Sequence, residues 1–161
     1  MDPLAIFGLS VLMSLISSIV AATLLVSPWL RVQSRREALL WLVTPHMFLR
    51  FIGLSFLVPG VVSESLPKAM AVPAAYGDCA AGILAIVAVA ALARTASWAI
   101  AAVWIFNVWG AADFLFAIYQ GARVQLVPGW LGASFYIVTA IVPPLLVSHV
   151  LIFRELRRSA P

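Results

Sequence analysis

The sequence predicts an all-α integral membrane protein, a bundle of five transmembrane helices, and both composition and hydropathy pattern support this fold class. Of the 161 residues, 64% are hydrophobic and 10% are charged, and the mean hydropathy is +1.09. A soluble domain carries about 25% charged residues. The apolar residues form five runs of at least about 20 residues, the length with which an α-helix crosses roughly 30 Å of hydrocarbon. We therefore expect one transmembrane domain over residues 1–161.

Short connections separate the five predicted helices, whose approximate bounds are residues 4–30, 38–58, 71–93, 96–119 and 130–153. The second follows a basic connection and stops at Pro59–Gly60. Pro73 suits the first turn of the third, where a missing backbone donor costs nothing. The fourth follows a tight turn at Arg94–Thr95, and the fifth is entered through Pro128–Gly129.

Small residues recur along one face of two predicted helices. In the first, the recurring positions are Ser10, Ser14, Ser18 and Ala22, and in the third they are Ala81, Ala85 and Ala88. Such stripes let helix backbones approach closely in a membrane. We therefore expect the chain to form a homo-oligomer or to serve as a subunit of a membrane complex.

The basic residues predict the orientation of the bundle. Seven arginines share one side of the predicted membrane, namely Arg31, Arg35, Arg36, Arg94, Arg154, Arg157 and Arg158. The other side carries only Lys68 and Arg123. The positive-inside rule then puts the N-terminus outside and the C-terminus in the cytoplasm of a multi-pass cell-membrane protein, such as one of a bacterial inner membrane. The net charge of +4 fits this orientation and anionic lipid, and not nucleic acid.

Six polar or ionisable side chains lie inside the predicted helices: His46, Arg50, Asp78, Asn107, Asp113 and His149. An Arg or Asp at the centre of a membrane helix costs roughly 2.5 to 3.5 kcal/mol on insertion-based scales. A chain that keeps several of these residues must pair them, hold them in a wet cavity, or bind something with them.

The predicted orientation sorts these six residues into two layers. An outer-to-middle layer holds Arg50, Asp78, Asn107 and Asp113, and an inner layer holds the two histidines. In the outer layer one Arg faces two Asp residues, so one carboxylate is left over. One interpretation is a structural ionic cluster, since Arg pairs well with carboxylates. The other is that the surplus carboxylate binds a proton, a cation or a polar ligand group, or is neutralised by a donor such as Tyr76.

The inner layer has its own alternatives. His46 and His149 could each form a hydrogen bond near the interface, or together hold a b-type haem axially or contribute to a metal site. Pro45 and the pair Pro143–Pro144 interrupt the two helices that carry them, because proline removes a backbone donor. We expect these breaks to be either packing kinks or the walls and hinges of a cavity.

The functional hypothesis is a polar intramembrane pocket that binds or transports a proton or a small polar or amphipathic ligand. Its expected lining is Arg50, Asp78, Asn107, Asp113, Trp104 and Tyr76. The alternatives are a membrane enzyme acting on a lipid or isoprenoid with Asp113 or His46 as general acid or base, a haem-binding electron carrier, and an accessory subunit. The sequence contains no phosphate-binding loop, no HExxH and no CxxC, which favours a role other than catalysis.

Overall fold

A computed structural model describes residues 2–158 of the chain. In that range the chain is helical, with an isolated bridge between Pro59 and Val62 and no β-strand. The five helices that are long and apolar enough to cross a membrane are α1 (Pro3–Val32), α2 (Arg35–Leu57), α3 (Lys68–Ala93), α4 (Ala99–Arg123) and α5 (Ile137–Arg157). The predicted all-α class with five helices of this kind is confirmed.

Helix α1 is peripheral, and the other four helices form the core. Only 6% of the most apolar window of α1 is buried, against 39–44% for α2 to α5. Its contacts are mainly with α5. Ser14, Ser18 and Ala22 line a groove of about 400 Å³ against α5. The small-residue face of α1 therefore lies against the chain's own last helix.

Helix α3 packs extensively against both α2 and α4. Ala81, Ala85 and Ala88 have no exposed surface, and Ala85 and Ala88 pack in a core with Phe106 and Leu39. Small residues at these positions allow the close backbone approach that membrane helices rely on. Both stripes are used within the chain, and self-association stays a prediction.

Arginines at the start of α2 close the ends of two other helices. Arg36 donates to the carbonyl oxygens of Leu92 and Ala93 at 2.7 and 2.9 Å, and Arg35 donates to those of Glu155 and Leu156 at 3.1 and 2.5 Å. These carbonyls belong to the last turns of α3 and α5, where backbone acceptors lack helical partners and the helix dipole favours a cation. The contacts bring the start of α2 and the ends of α3 and α5 to one end of the bundle.

The start of α2 is itself capped. Ser34 Oγ accepts from the backbone N–H of Glu37, and the Glu37 carboxylate accepts from the backbone N–H of Ser34 at 3.1 Å. This reciprocal pair is a capping box, which satisfies two donors that the first helical turn leaves free.

The regular α-helical winding of α2 is interrupted at Pro45, as the sequence predicts. A turn at Thr44–Pro45 interrupts its hydrogen bonding, and residues Arg50–Leu57 wind as a 3₁₀ helix. The hydroxyl of Thr44 donates to the carbonyl of Leu40 at 2.7 Å. Residues His46–Leu49 remain α-helical, so Arg50 is the first residue of the more tightly wound segment.

Helix α5 begins at Ile137 and ends at Arg157, whereas the sequence predicts residues 130–153. Residues Pro128–Ser134 form a separate 3₁₀ segment. Gly132 adopts a φ of +52°, and the N–H of Ala133 donates to the carbonyl of Val61 at 2.9 Å. A side chain at position 132 would collide with that carbonyl. Residues Pro128–Ser134 therefore pack on the loop after α2, and the membrane-length helix begins after them, at Ile137.

Candidate functional site

Arg50 is the centre of a polar cluster inside the bundle, with 1% of its surface exposed. Its Nη1 donates to Oδ1 of Asp78 at 2.6 Å and to Oδ2 of Asp113 at 2.9 Å. Its Nη2 donates to the carbonyl of Gly110 at 2.8 Å and lies 2.8 Å from Nε2 of His149. Four donors of one guanidinium therefore link α2 to α3, α4 and α5. Charge-assisted hydrogen bonds of this type are among the stronger ones in proteins.

The hydrogen bonds assign the tautomer of His149. A guanidinium has no acceptor, so Nε2 of His149 accepts from Arg50 and the ring proton sits on Nδ1. Nδ1 lies 2.6 Å from Oδ1 of Asn107, which accepts that proton. The amide of Asn107 in turn donates to the backbone carbonyl of His149 at 3.2 Å. His149 is thus neutral and held on both ring nitrogens.

His46 contacts the cluster through its ring, which is inclined by 56° to the ring of His149, and not through a hydrogen bond. Its ring centroid lies 4.5 Å from that of His149, and the residue has no exposed surface. The hydroxyl of Ser148 donates to the carbonyl of Leu145 at 2.9 Å and lies 2.5 Å from Nε2 of His46, so it accepts the proton there. Nδ1 of His46 and Nε of Arg50 are buried without a partner among residues 2–158.

The aromatic ring of Phe114, which the sequence does not predict as part of the site, lies against the guanidinium of Arg50. The Cζ atom of Arg50 lies 3.5 Å from the ring centroid of Phe114. A cation over an aromatic face is stabilised by the ring quadrupole, more strongly when the site is dry. Phe114 follows Asp113 directly in α4, which also contains Phe106 and Phe116. The sequence alone does not indicate which of these rings faces Arg50.

Three glycines create the space that the cluster occupies. A Cβ on Gly110 would lie 2.6 Å from Cε1 of His149 and 2.9 Å from Nη2 of Arg50. A Cβ on Gly53 would collide with the carboxylate of Asp78, and one on Gly77 would collide with that of Asp113. Gly110 therefore accommodates two polar side chains from neighbouring helices, and Gly53 and Gly77 accommodate one each.

Asp113 connects the cluster to a groove on the surface of the bundle. The groove has a volume of about 390 Å³, lies between α3 and α4, and is lined by Pro73, Tyr76, Gly77, Trp109, Ala112, Asp113 and Phe116. The indole N–H of Trp109 donates to the carbonyl of Gly77 at 3.3 Å, which holds the indole beside the groove. The side chain of Asp113 is 9% exposed, so its carboxylate lies at the floor of the groove.

The structure places the predicted site residues in different environments. It brings together Arg50, Asp78, Asn107, Asp113, His46 and His149. Tyr76 is 61% exposed and lines the groove beside Asp113. Trp104 packs against Phe153 with ring centroids 5.7 Å apart, and six residues separate it from Gly110, about 9 Å along the helix. A role for Trp104 in ligand binding stays a prediction.

The expected separation into two layers is also wrong. His149 touches both Arg50 and Asn107, so the histidines and the acidic residues form one network. The reason is the position of α5. Because that helix spans Ile137–Arg157, His149 lies eight residues, about 12 Å, from its end rather than about one turn.

The histidine pair does not suit an axial haem. Iron requires an unshared lone pair on each imidazole, and both ring nitrogens of His149 already face side-chain partners at 2.8 and 2.6 Å. The ring centroids are 4.5 Å apart and in direct contact, which leaves no space for a macrocycle between them. Within residues 2–158, no group of three or more His, Cys, Asp or Glu side chains is arranged to hold a metal ion.

Comparison with known proteins identifies one relationship. A search of the curated proteins finds no significant match, and a search of the solved structures finds none either. A protein-family model, described as "Domain of unknown function (DUF8737)", matches residues 6–157. That range contains all five long helices except the first residues of α1, together with every residue of the Arg50 cluster. The chain therefore belongs to the family of the domain of unknown function DUF8737.

Proposed function

We propose that this is a multi-pass cell-membrane protein that binds a proton or a small polar or amphipathic ligand at Asp113. Five helices of membrane length and hydropathy support the location. For the orientation, with the N-terminus outside and the C-terminus in the cytoplasm, the support is the excess of arginines at one end of the bundle. Transport of the bound species would be the further step.

The observation that carries the proposal is an unbalanced charge. Arg50 brings one positive charge to two carboxylates, and both contact the same nitrogen, Nη1. No other cation contacts either carboxylate among residues 2–158. A second ionised carboxylate in an apolar bundle costs several kcal/mol, so one extra positive charge or proton completes the site.

Access favours Asp113 over Asp78 as the residue that takes this charge. Both carboxylates are mostly buried, with 9% and 11% of their side-chain surface exposed. Only Asp113 lines the groove between α3 and α4. A proton or ligand that enters the groove therefore reaches Asp113 first, while Arg50 holds the opposite side of the carboxylate.

The walls of the groove define which ligand groups fit. Tyr76, Trp109 and Phe116 present aromatic surface, and Asp113 supplies the acceptor. Pockets with apolar walls and a few placed polar groups suit small molecules. A ligand for this groove would carry a hydrogen-bond donor or a positive charge on an apolar body.

A hydrophobic carbodiimide tests the proposal, because it reacts with protonated carboxyl groups that are reachable from the apolar phase. Purified protein in nanodiscs is treated with dicyclohexylcarbodiimide, and the modified residue is identified by peptide mass spectrometry. We expect modification of Asp113 that falls as pH rises. The label should disappear in Asp113→Asn. It should weaken in Asp78→Asn, because Arg50 then balances the one remaining carboxylate, that of Asp113.

Two further outcomes decide between interpretations. Absence of label on Asp113 at every pH would contradict the proposal and leave a purely structural cluster. Protection of Asp113 by octylamine, but not by octane, would show that the groove accepts an amphipathic ligand as well as a proton.

A further inference from the structure

A second groove lies at the arginine-rich end of the bundle. It has a volume of about 850 Å³ and is lined by Arg31, Val150, Phe153, Arg154, Glu155, Arg157 and Arg158. Four guanidinium groups thus surround one cavity, against one carboxylate. It is separate from the groove at Asp113 and shares no lining residue with it.

The arginines at this end divide into those used by the fold and those available to a ligand. Arg35 and Arg36 cap helix ends and do not line the groove. Arg154 and Arg158 each contact the carboxylate of Glu155 at 3.2 Å. Within the described residues, the guanidinium groups of Arg31 and Arg157 have no hydrogen-bond or ion-pair partner, and both side chains are exposed.

Glu155 organises the groove without neutralising it. The residue is 3% exposed and holds Arg154 and Arg158, which also reach Ser27 Oγ at 2.9 Å and the carbonyl of Leu30 at 3.3 Å. These contacts fix the end of α5 against the end of α1. Among residues 2–158, one carboxylate offsets one of the four arginines, so this part of the chain leaves the groove a surplus of three positive charges.

Apolar surface continues the groove along α5. Val150 is 64% exposed, and Phe153 is half-buried one turn further along the helix. Arg154 and Arg157 follow on the same side, because residues three, four and seven positions apart share a helix face. The groove therefore presents arginines at its mouth and hydrocarbon surface toward the middle of the bundle.

We propose that this groove binds an anionic phospholipid, with the phosphate between Arg31 and Arg157 and an acyl chain against Val150 and Phe153. Arg forms bidentate hydrogen bonds with phosphate, and basic clusters beside membrane helices recognise anionic headgroups. The apolar surface selects a lipid over a free anion. Such a lipid would also bridge α1 and α5 at the end where Arg154 and Arg158 join them.

Retention of defined lipids tests the site. Protein in nanodiscs containing phosphatidylglycerol and phosphatidylcholine is extracted, and the bound lipid is counted by native mass spectrometry. We expect preferential retention of phosphatidylglycerol. The double variant Arg31→Gln/Arg157→Gln should bind it about 30-fold more weakly, since each basic residue near an anionic surface contributes about fivefold.

Arg94→Gln is the matched control, because Arg94 is an exposed arginine at the same end that does not line the groove. A loss of about fivefold in Arg94→Gln, the same per arginine as in the double variant, would overturn the proposal in favour of a general charge effect. Equal retention of phosphatidylcholine would also overturn it. Displacement of the lipid by inorganic phosphate at millimolar concentration would show an anion site and contradict the commitment to lipid. Unchanged thermal unfolding of all variants confirms that they fold.

Discussion

Nη2 of Arg50 lies 2.8 Å from Nε2 of His149, and this contact joins the charged and the imidazole parts of one buried network. Arg50 can only donate, so His149 must accept at Nε2 and donate from Nδ1 to Asn107. If His149 were doubly protonated, its Nε2 would also be a donor and would face the donor Nη2 of Arg50. The network therefore requires a residue at position 149 that accepts on one side and donates on the other.

This requirement predicts different effects for two substitutions of His149. His149→Gln keeps an acceptor and a donor, whereas His149→Phe leaves donors of Arg50 and the acceptor of Asn107 unpaired. An unsatisfied buried group costs roughly 1 to 3 kcal/mol. We expect His149→Phe to be less stable than His149→Gln by about 2 kcal/mol, measured by reversible unfolding in mixed micelles. Equal stability of the two variants would show that the hydrogen bonds of His149 do not contribute to stability.

Substitution of Arg50 should lower the free energy of unfolding more than substitution of Asp78 or Asp113. Arg50→Gln leaves two carboxylates without a cation, and the loss of one partner of a buried ion pair costs about 3 to 5 kcal/mol. The same substitution at exposed Arg123 should change stability by less than about 0.5 kcal/mol. The free energies of unfolding of the two variants provide the comparison.

A double variant separates charge from packing at this site. If charge dominates, Arg50→Gln/Asp78→Asn should recover part of the loss, because fewer carboxylates remain uncompensated. A double variant that is no better than Arg50→Gln alone would assign the effect to lost packing on Phe114 instead.

Asp113→Asn should lower the stability of the protein only slightly. The amide oxygen still accepts from Nη1 of Arg50, which lies 2.9 Å from Oδ2 of Asp113, and the surplus negative charge disappears. Asp113→Leu removes the acceptor and the charge together, so it should be clearly less stable than Asp113→Asn. Thermal unfolding in detergent ranks the two variants. A large loss of stability in Asp113→Asn would mean that both carboxylates are needed as charges.

Gly110→Ala should disrupt the cluster sterically. The added Cβ would approach His149 and Arg50 at 2.6 and 2.9 Å, and overpacking of a tight core costs roughly 1 to 3 kcal/mol. Gly8→Ala in α1 is the control, because nothing lies within 4 Å of its added Cβ. The difference in unfolding midpoint between the two variants measures the effect. Equal midpoints would indicate that the helices α4 and α5 are further apart than described.

The sequence predicts the helices well because hydropathy and length are strong signals in a membrane protein. Arg50, Asp78 and Asp113 stand out for the same reason, since each is costly in hydrocarbon unless partnered. The pairing partners Gly110 and Phe114 could not be predicted. In a bilayer both faces of a helix are apolar, so the pattern does not reveal which face is buried. The depth of His149 was not predicted because α5 continues to Arg157 instead of ending at residue 153, just before the arginines begin.

The loose packing of α1 has a consequence for how the chain is made. Its most apolar window is only 6% buried, and its main partner is α5, at the other end of the sequence. Among these five helices, α1 is synthesised before the other four, and its partner α5 is synthesised after the others. It must therefore remain surrounded by lipid or by an insertion chaperone while more than a hundred residues follow. The Arg50 network is formed by α2 to α5 and also cannot be complete before α5 is inserted. The packing of α1 and the Arg50 network therefore both depend on the insertion of α5.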